Sequence, residues 1–559
     1  MPDYNRKPKS RAAALLALPT LLIGLLPACD PGPTGQSTDQ SPGISTNTPP
    51  TPIAAPPVDT NAVFALNDEQ IQFDKTVFAN ELDAQAYEST FVALWDRLRS
   101  MDPFKVFRQF PFIKLNLPLP GKWTSLPLGI EGIRLAKLSG DPTMLDHPSY
   151  LAVLNQLEAD GWRVAQTEWH HTEFRPGSDG RAPRSIISFE IHATNQAKER
   201  RAAIKGQLDL TWTDKKTNTG LRIPDTIQIV DTTITDYTGQ PAFVQMLQVD
   251  TTQLDAKLYP RVSPVIVNDL NKDGQPELIL AGSNLVYRKE GDNFQHIPFL
   301  DHPVIPLGEA GILADFDGDG EADFISTGKE DGLLRIWHAS GNGQFTTEPR
   351  TLLQSKFDNP HPMTTGDFDL DGDLDLFIGQ WKEPYLKGSM PTPYYDANDG
   401  YPDALLINDG KGNFTDGTKN AGLEAKRNRR TYSASFADLD GDNDLDLFCV
   451  CDFSGIDVYR NDSKGKFTDV TDNWVKQRHG FGMAHTVADF NGDGALDVYM
   501  VGMSSTTARR LDRLNLGRDG FEKYDAMRAP MTYGNRLYFG SSNGLQQLAL
   551  SDDVARTGW

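Results

Sequence analysis

The chain has 559 residues, of which 76 are acidic and 54 basic, so its formal net charge is −22. This length exceeds one ordinary hydrophobic core and predicts at least two domains. So acidic a protein repels polyanions, which excludes general binding to nucleic acids or anionic lipid surfaces, and three cysteines are too few for a disulfide framework.

The first thirty residues have the layout of an export signal. Basic residues between positions 6 and 11 precede an apolar run over 12–28, which is too short and too interrupted by prolines for a transmembrane helix. The run ends in Leu26-Pro27-Ala28-Cys29, which resembles the lipobox of bacterial lipoproteins. In that family the cysteine is lipidated and becomes the new N-terminus. The alternative is an ordinary signal in which Cys29 has no role.

Residues 30–60 are rich in Pro, Ser, Thr and Gly, a composition typical of a flexible tether. We therefore predict a signal peptide over 1–29, with lipidation at Cys29, and a linker over 30–60. The expected location is the bacterial cell envelope, where the protein is lipid-anchored to either the inner or the outer membrane.

Residues 61–250 have the pattern of an α+β domain. The spacing of apolar residues predicts helices over 81–101 and 149–160. Alternation of polar and apolar residues predicts antiparallel strands over 162–174, 185–194, 203–213 and 226–234. In the order of its elements this domain resembles the cone-shaped family typified by nuclear transport factor 2, which implies a curved sheet wrapped over helices.

A hypothesis of catalysis rests on this domain. Trp169, His171 and Glu173 alternate along one predicted strand, and Glu190 and His192 alternate along the next. Paired, they would form a small metal or acid–base site. The alternative is a polar sheet face without chemistry, because nothing in the sequence sets the strand register. The chain has no G-x-S-x-G, H-E-x-x-H, P-loop or dinucleotide motif, and we assign no catalytic residue.

Residues 251–559 contain one acidic pattern five times. It has Asp at position 1, Asp or Asn at position 3, Asp at position 5, Gly or Asn at position 6, and Asp or Glu at position 9. Successive first positions are 46, 52, 71 and 51 residues apart, which is typical of repeat architecture. The residues at positions 1, 3, 5 and 9 are Asp269, Asn271, Asp273, Glu277; Asp315, Asp317, Asp319, Asp323; Asp367, Asp369, Asp371, Asp375; Asp438, Asp440, Asp442, Asp446; and Asp489, Asn491, Asp493, Asp497.

Three or four carboxylates within nine residues repel one another unless a cation lies among them. Oxygen ligands at this spacing, with a sharp turn at position 6, describe a calcium loop. An EF-hand needs Glu at position 12, where this chain has Leu280, Ser326, Ile378, Cys449 and Met500. Because short apolar strands flank the loops, we predict Ca²⁺ sites within β-hairpins; five ions would change the net charge from −22 to −12. The alternative is acidic turns without metal.

A glycine-rich turn that ends in an aromatic residue alternates with these loops, at Phe294, Phe345, Phe414, Phe467 and Phe521. Each period therefore holds about four strands, as one blade of a β-propeller does. Together, the loops and turns resemble the FG-GAP/VCBS repeat family, the calcium-loop propellers also found in integrin α subunits, in the style of the cartilage acidic protein branch.

This resemblance covers somewhat more than half of the chain. It implies that the side chains at positions 1, 3, 5 and 9 and the backbone carbonyl at position 7 bind structural calcium, most weakly in the first loop or equally weakly in the last. The expected fold is mainly β: a β-propeller over 251–559, with five calcium-loop blades visible, preceded by a smaller α+β domain over 61–250.

The number of blades stays open. Residues 535–539 and 545–550 resemble the outer half of a further blade, whose calcium loop would begin at about 567–569, beyond Trp559. We expect truncation or premature termination of the chain; the alternative is that a segment before Asn268 supplies the missing strands.

Two further features have alternative interpretations. The third period contains an insertion with Trp381, Tyr385, Tyr394, Tyr395 and Tyr401, which either binds a partner or sugar by stacking or folds over its own blade. Cys449 and Cys451 lie two apart on a strand, which favours buried thiols over a bridge or a metal site.

These observations predict an exported, lipid-anchored binding protein. Its calcium-stabilised propeller would recognise a protein or glycan partner, and its membrane contact would be the lipid anchor. The alternative is a periplasmic or surface hydrolase that uses the His and Glu residues of the α+β domain.

Overall fold

The computed structural model describes residues 78–125, 132–178, 180–240, 243, 245–249, 262–291, 293–304, 306–384, 390–514, 522–541 and 543–550. The predicted signal peptide, Cys29 and the linker over 30–60 lie outside these residues. The chain divides into two compact units: one runs to Phe243 and includes Arg510–Leu516, and the other comprises Val244–Arg509 and the chain from Gly517. Among the described helices, none combines the length and the apolar character needed to cross a membrane.

The described residues of the first unit up to Thr238 form three helices and an eight-stranded sheet. Its helices are α1 (Ala79–Ser100), α2 (Pro103–Gln109) and α3 (His147–Ala159). Its strands are β1 (Lys114–Leu117), β2 (Thr124–Ser125), β3 (Ile133–Lys137), β4 (Thr143–Leu145), β5 (Arg163–Arg175), β6 (Arg184–Asn195), β7 (Arg200–Lys216) and β8 (Arg222–Thr238). The strand order is β2-β3-β8-β7-β6-β5, and β1 pairs with β8 and β4. Both predicted helices and all four predicted strands of this part of the chain are present.

The core of the first unit forms where α1 packs on the long strands. Tyr87, Phe91, Leu94 and Leu98 lie three or four residues apart, so they share one face of α1, and all four are buried. They join Trp169 and Trp212 of the sheet in one apolar cluster. The side chains of Asp102 and Asp146 accept hydrogen bonds from the first-turn N–H groups of α2 and α3, which fixes where these helices begin.

The strand register of this unit contradicts the catalytic hypothesis. On β5 and β6, Trp169 pairs with Phe189 and His171 with Ile187, so these four side chains share the buried face. His192 pairs with Gln166 and Glu190 with Glu168, one residue out of phase with the buried positions. His171 and His192 therefore point to opposite faces of the sheet. The alternation of residues in the sequence also gave a wrong face for Glu173, because a β-bulge after His171 interrupts the alternation of side chains along β5.

The described residues of the second unit form five antiparallel sheets of four strands each, which we call blades 1 to 5. Blade 1 is β9 (Val265–Asn268), β10 (Glu277–Leu280), β11 (Leu285–Glu290) and β12 (Asn293–Pro298); blade 2 is β13 (Leu307–Ala314), β14 (Asp323–Gly328), β15 (Leu333–Trp337) and β16 (Arg350–Lys356); blade 3 is β17 (Pro360–Gly366), β18 (Asp375–Gln380), β19 (Ala404–Asn408) and β20 (Phe414–Asp416). Blade 4 is β21 (Arg430–Ala437), β22 (Asp446–Asp452), β23 (Gly455–Arg460) and β24 (Thr468–Asp469); blade 5 is β25 (Phe481–Ala488), β26 (Asp497–Met503), β27 (Arg536–Phe539) and β28 (Gln546–Gln547). The helices of the remaining chain are α4 (Thr471–Trp474), α5 (Thr506–Arg513) and α6 (Glu522–Met531).

This arrangement confirms the predicted fold class, mainly β with propeller blades. In every blade the acidic loop joins the first strand to the second. A glycine turn joins the third strand to the fourth, so that each sequence period forms one sheet. The apolar core lies between the sheets, in four clusters that each combine residues of two consecutive blades.

The end of the chain differs from the prediction. Residues 535–539 and 545–550 are not the outer half of a further blade, because β27 pairs with β26, with Val498 opposite Tyr538, and β28 pairs with β27. They complete blade 5. A long insertion with α5 and α6 separates the second and third strands of this blade in the sequence. Because of this separation, the pairing of β26 with β27 could not be recognised from the repeat period. The turn predicted to end at Phe521 lies outside the described residues.

The aromatic insertion of the third period contacts its own blade, where the ring centroid of Trp381 lies 6.5 Å from that of His361, and it also packs on the two following blades. Tyr394 lies with its ring centroid 5.2 Å from that of Phe453 and 6.5 Å from that of Phe481, which belong to blades 4 and 5. Arg430, a fully buried residue of β21, donates two hydrogen bonds of 3.0 Å to Asp399 of the same insertion. Cys449 and Cys451 are buried free thiols, as predicted.

Candidate metal loops

The five acidic loops, residues 269–277, 315–323, 367–375, 438–446 and 489–497, fold around the carboxylate at position 1. In each loop this carboxylate accepts the backbone N–H of position 6. The distances are 2.8 Å for Asp269 and Gly274, 2.9 Å for Asp315 and Gly320, 3.1 Å for Asp367 and Gly372, 3.0 Å for Asp438 and Asn443, and 2.9 Å for Asp489 and Gly494. The shared contact shows that the five sequences form one structural motif.

Two positions of each loop have left-handed backbone. Position 6 was predicted from its glycines, and Asn443 takes the same conformation with φ of 71°. Left-handed backbone at position 4 was not predicted, because the residues there in loops 1 and 3 are Lys272 and Leu370 rather than glycine. Their φ angles are 58° and 61°. Left-handed geometry is strained for these side chains, so the loop is held by its contacts rather than by local preference.

Position 9 is a buried junction between the loop and its blade. Its five residues are each 3% exposed or less. Asp446 accepts the N–H of Leu439 at position 2, at 3.1 Å, and the N–H of Asn461 just after the third strand, at 3.0 Å. Asp497 repeats this arrangement with Phe490 and Gly540, at 2.8 and 2.9 Å. The residue predicted as a ligand therefore also fixes the loop to its sheet.

The structure brings carboxylates together in three of the five loops. In each of three groups, one carboxylate oxygen per residue lies within 4.8 Å of the others. The groups are Asp315, Asp317 and Asp319; Asp367, Asp369 and Asp371; and Asp438, Asp440 and Asp446. In loops 1 and 5 the Asn at position 3 instead donates a hydrogen bond to position 5, from Asn271 to Asp273 at 3.0 Å and from Asn491 to Asp493 at 2.9 Å.

The electrostatics of these loops fit a bound cation. Burial raises the pKa of Asp375 and of Asp446 to about 7, and burial together with neighbouring carboxylates raises the pKa of Asp369 and Asp440. Buried oxygens of Asp369, Asp375 and Asp440 have no hydrogen-bond partner. Crowded carboxylate oxygens without donors are the environment that a hard cation such as Ca²⁺ satisfies.

His338 is a neighbour of loop 2 that the sequence analysis missed. Its Nδ1 atom lies 3.1 Å from a carboxylate oxygen of Asp317 and 3.1 Å from one of Asp323. These three side chains form a further group with ligand atoms close enough to hold a metal ion. No local signal could have found His338, because only the pairing of β14 with β15 brings it to a loop that ends fifteen residues earlier.

The apolar residue at position 2 was also missed, and in loops 1 to 4 it connects the loop to the following blade. The ring of Phe316 lies 5.6 Å from that of Phe414, in the glycine turn of blade 3. The backbone carbonyl oxygen of Phe316 accepts a hydrogen bond of 2.8 Å from the side-chain amide of Asn408. Between blades 1 and 2, Leu270 of loop 1 lies directly against Gly343 in the glycine turn of blade 2. A Cβ atom added to Gly343 would lie 2.6 Å from Leu270 Cβ. Gly465 of blade 4 lies against the preceding loop in the same way, since a Cβ atom there would lie 3.0 Å from the ring of Phe368, so these two turns leave no room for a side chain at Gly343 and Gly465.

Comparison with known proteins agrees with this repeat. The model of the FG-GAP-like repeat matches residues 315–378 and 438–500. Each match begins at position 1 of an acidic loop, Asp315 or Asp438, and ends in the strand after the next loop, so loops 2 to 5 are all included. The prediction of FG-GAP repeats is confirmed. A search of curated protein sequences finds no match to this chain.

Several solved structures are similar to parts of the chain. The biofilm matrix protein Bap1 of V. cholerae is 14% identical with a TM-score of 0.27, over 52% of this chain and 40% of that protein, so this chain spans less than half of its length. A putative 6-phosphogluconolactonase of Bacteroides fragilis is 11% identical with a TM-score of 0.23, over 62% of this chain and 92% of that one. YCF48 of Cyanidioschyzon merolae is 9% identical with a TM-score of 0.25, over 61% and 95%.

Proposed function

We propose that this chain, which carries FG-GAP-like repeats at residues 315–378 and 438–500, is an exported, lipid-anchored binding protein whose blades are stabilised by Ca²⁺ and recognise a protein or glycan partner. The observation that carries the proposal is the convergence of carboxylates in loops 2, 3 and 4, with buried oxygens that lack a donor. Such loops are unfavourable without a cation and become a rigid framework with one.

The ligands in this proposal are the side chains at positions 1, 3, 5 and 9 of each acidic loop and the carbonyl at position 7. Calcium there would supply charge neutralisation, and the loops would supply its oxygen ligands. Position 2 of loops 1 to 4 packs on the next blade. An ion that orders one of these loops would therefore also stabilise the interface between the two blades. Loops 1 and 5, with an amide at position 3, carry less charge and would bind the ion more weakly.

Binding is favoured over catalysis by the geometry of the first unit. The hydrolase alternative needed His171 beside His192, and they lie on opposite sheet faces. His171 is 1% exposed, and its Nε2 lies 2.9 Å from Ser185 Oγ, which also accepts from Trp212. Burial lowers the pKa of His171 to about 3, which favours the neutral imidazole.

The lipid anchor in this proposal is Cys29, at the end of the lipobox-like sequence, with residues 30–60 as the tether. Its test is metabolic labelling with palmitate in a bacterial host that processes lipoproteins, followed by cell fractionation. The chain should be labelled and fractionate with membranes, and a Cys29→Ser variant should lose both properties. Equal membrane association of the two proteins would refute the anchor.

The metal part is tested by counting bound calcium after equilibrium dialysis of the full chain. Up to five ions should bind, with a tighter class at loops 2, 3 and 4. Replacing Asp317, Asp369 and Asp440 together by Asn should remove the tighter class, whereas the control Glu330→Gln, at an exposed turn outside the loops, should not. A wild-type chain that binds no calcium would refute this assignment.

The partner is tested with the same proteins on glycan arrays and against surface proteins of a bacterial envelope. Binding should depend on calcium and weaken in the triple variant, because the blades that present the surface loosen. Binding that is unchanged by calcium removal and by the triple variant would show that the acidic loops do not support recognition.

A further inference from the structure

Consecutive blades meet through two complementary apolar surfaces. The first, which we call the front face, is centred on position 2 of the acidic loop. The second, the back face, consists of the side chains two and four residues before position 1, on the first strand of the next blade. The position two residues before position 1 is Leu313 in blade 2, Phe436 in blade 4 and Val487 in blade 5. In blade 3 the apolar residue is Met363, four residues before position 1. Each of these four residues joins the cluster formed with the preceding blade.

The front face is buried wherever another blade follows. Position 2 is 4% exposed at Leu270, 1% at Phe316 and at Phe368, and 2% at Leu439. In blade 5 the same position is Phe490, which is 49% exposed. The apolar position that is packed in an interface in four blades is therefore half exposed to solvent in the fifth.

The back face shows the same contrast at the other end of the unit. In blade 1 its two positions are Val265 and Val267, which are 53% and 65% exposed. Both are β-branched residues on one side of a first strand, with no cluster of the described residues to receive them. Blade 1 therefore presents the back half, and blade 5 the front half, of an interface that this chain builds four times.

We propose that these two faces bind each other between copies of the chain, so that blade 5 of one copy docks head to tail on blade 1 of a second copy. Every copy carries one face of each kind, and the internal interfaces show that the two kinds are complementary. Because the contact joins different surfaces, it leaves a free face at each end and propagates into a filament or a closed ring. Among the described residues, no interface between blades pairs two like faces.

The experiment is sedimentation velocity of the purified full chain over a wide range of protein concentration, in detergent throughout so that a lipid anchor adds no association. The wild type should form oligomers larger than dimers as concentration rises. Phe490→Asp should remove the front face and the double variant Val265→Asp/Val267→Asp the back face. Each should weaken association at least about a hundredfold, since an unpaired charge would be buried. Met144→Asp, at a 64% exposed apolar residue of β4, is the matched control.

Mixing the two variants gives the decisive result. Each retains one intact face, so a mixture should form a one-to-one dimer that grows no further. Mixed variants that stay monomeric while the wild type associates would overturn the head-to-tail arrangement, and a wild type that is monomeric throughout would overturn the interface itself. If an Asp variant fails to melt cooperatively, Phe490→Ser and Val267→Thr carry the same test.

Discussion

The ring of Phe368, at position 2 of the third acidic loop, lies 5.5 Å from the ring of Phe467, in the glycine turn of blade 4. Asn461 reinforces this contact by donating a hydrogen bond of 2.6 Å to the carbonyl oxygen of Phe368. The residues are almost one hundred positions apart in the chain. This contact joins the two sequence signatures of the repeat, and contacts at the same position make loops 1 to 4 part of the interfaces between blades.

The contact predicts an unequal effect of one substitution at equivalent positions. Phe368→Ala removes a buried ring and should lower the free energy of unfolding by about 3–5 kcal/mol. Phe490→Ala changes the same loop position where the ring is half exposed, and its effect should stay within about 0.5 kcal/mol. The check is urea unfolding of both variants at low protein concentration. Equal losses would show that position 2 acts within its own loop and not through the next blade.

A gain of calcium affinity is expected at loop 5. Asn491→Asp gives this loop the four carboxylates of loops 2 to 4. If binding tightens about tenfold, stability at saturating calcium rises by about 1.4 kcal/mol, while stability in chelator falls because the carboxylates repel. Thermal melts in both conditions measure this, with Asn420→Asp as a control that adds the same charge at an exposed site. A variant that is destabilised equally in calcium and in chelator would contradict the ligand role of position 3.

A pH effect is expected in the first unit, at the pair formed by His192 and Glu190. The hydrogen bond between them, 2.8 Å long, raises the pKa of His192 and lowers that of Glu190 to about 2. Stability from His192 is fully present below about pH 6.5 and is lost as pH rises through its raised pKa. Stability from Glu190 is present above about pH 4.5 and is lost as pH falls toward 2. The pair therefore contributes most between these limits.

Glu190→Gln tests this pair. The variant should move the pKa of His192 back down, as followed by the NMR shift of its ring proton. Its loss of stability should be largest between about pH 4.5 and 6.5 and smaller above. Glu330→Gln is the control. An unchanged His192 titration would mean that the hydrogen bond does not form in solution.

The acidic loops could be predicted from sequence because their geometry is local. Nine consecutive residues contain the carboxylates and the left-handed position 6, so spacing alone identified Asp315 to Asp323 and its four equivalents. The four-stranded period followed from the same regularity. Turn chemistry and carboxylate spacing act over a few residues, where sequence patterns carry most of their information.

The predictions that failed concern features that depend on contacts between residues far apart in the sequence. Alternation placed His171 and Glu173 on one face, but a β-bulge between them lies in the register of β5 with β6, which no pattern within one strand reveals. Residues 535–539 were assigned to a further blade because the insertion with α5 and α6 separates them from β26. The partners of Phe316 and of His338 lie in other strands or blades, so their roles appeared only in the fold.

Whether cations in the acidic loops stabilise the blades is measured most directly by the thermal melt of the full chain in calcium and in excess chelator. We expect a cooperative transition of the second unit that moves to markedly higher temperature with calcium and returns on chelation. We also expect that the Asp317, Asp369 and Asp440 triple Asn variant loses most of that shift. A cooperative melt at the same temperature in both conditions would contradict this stabilisation.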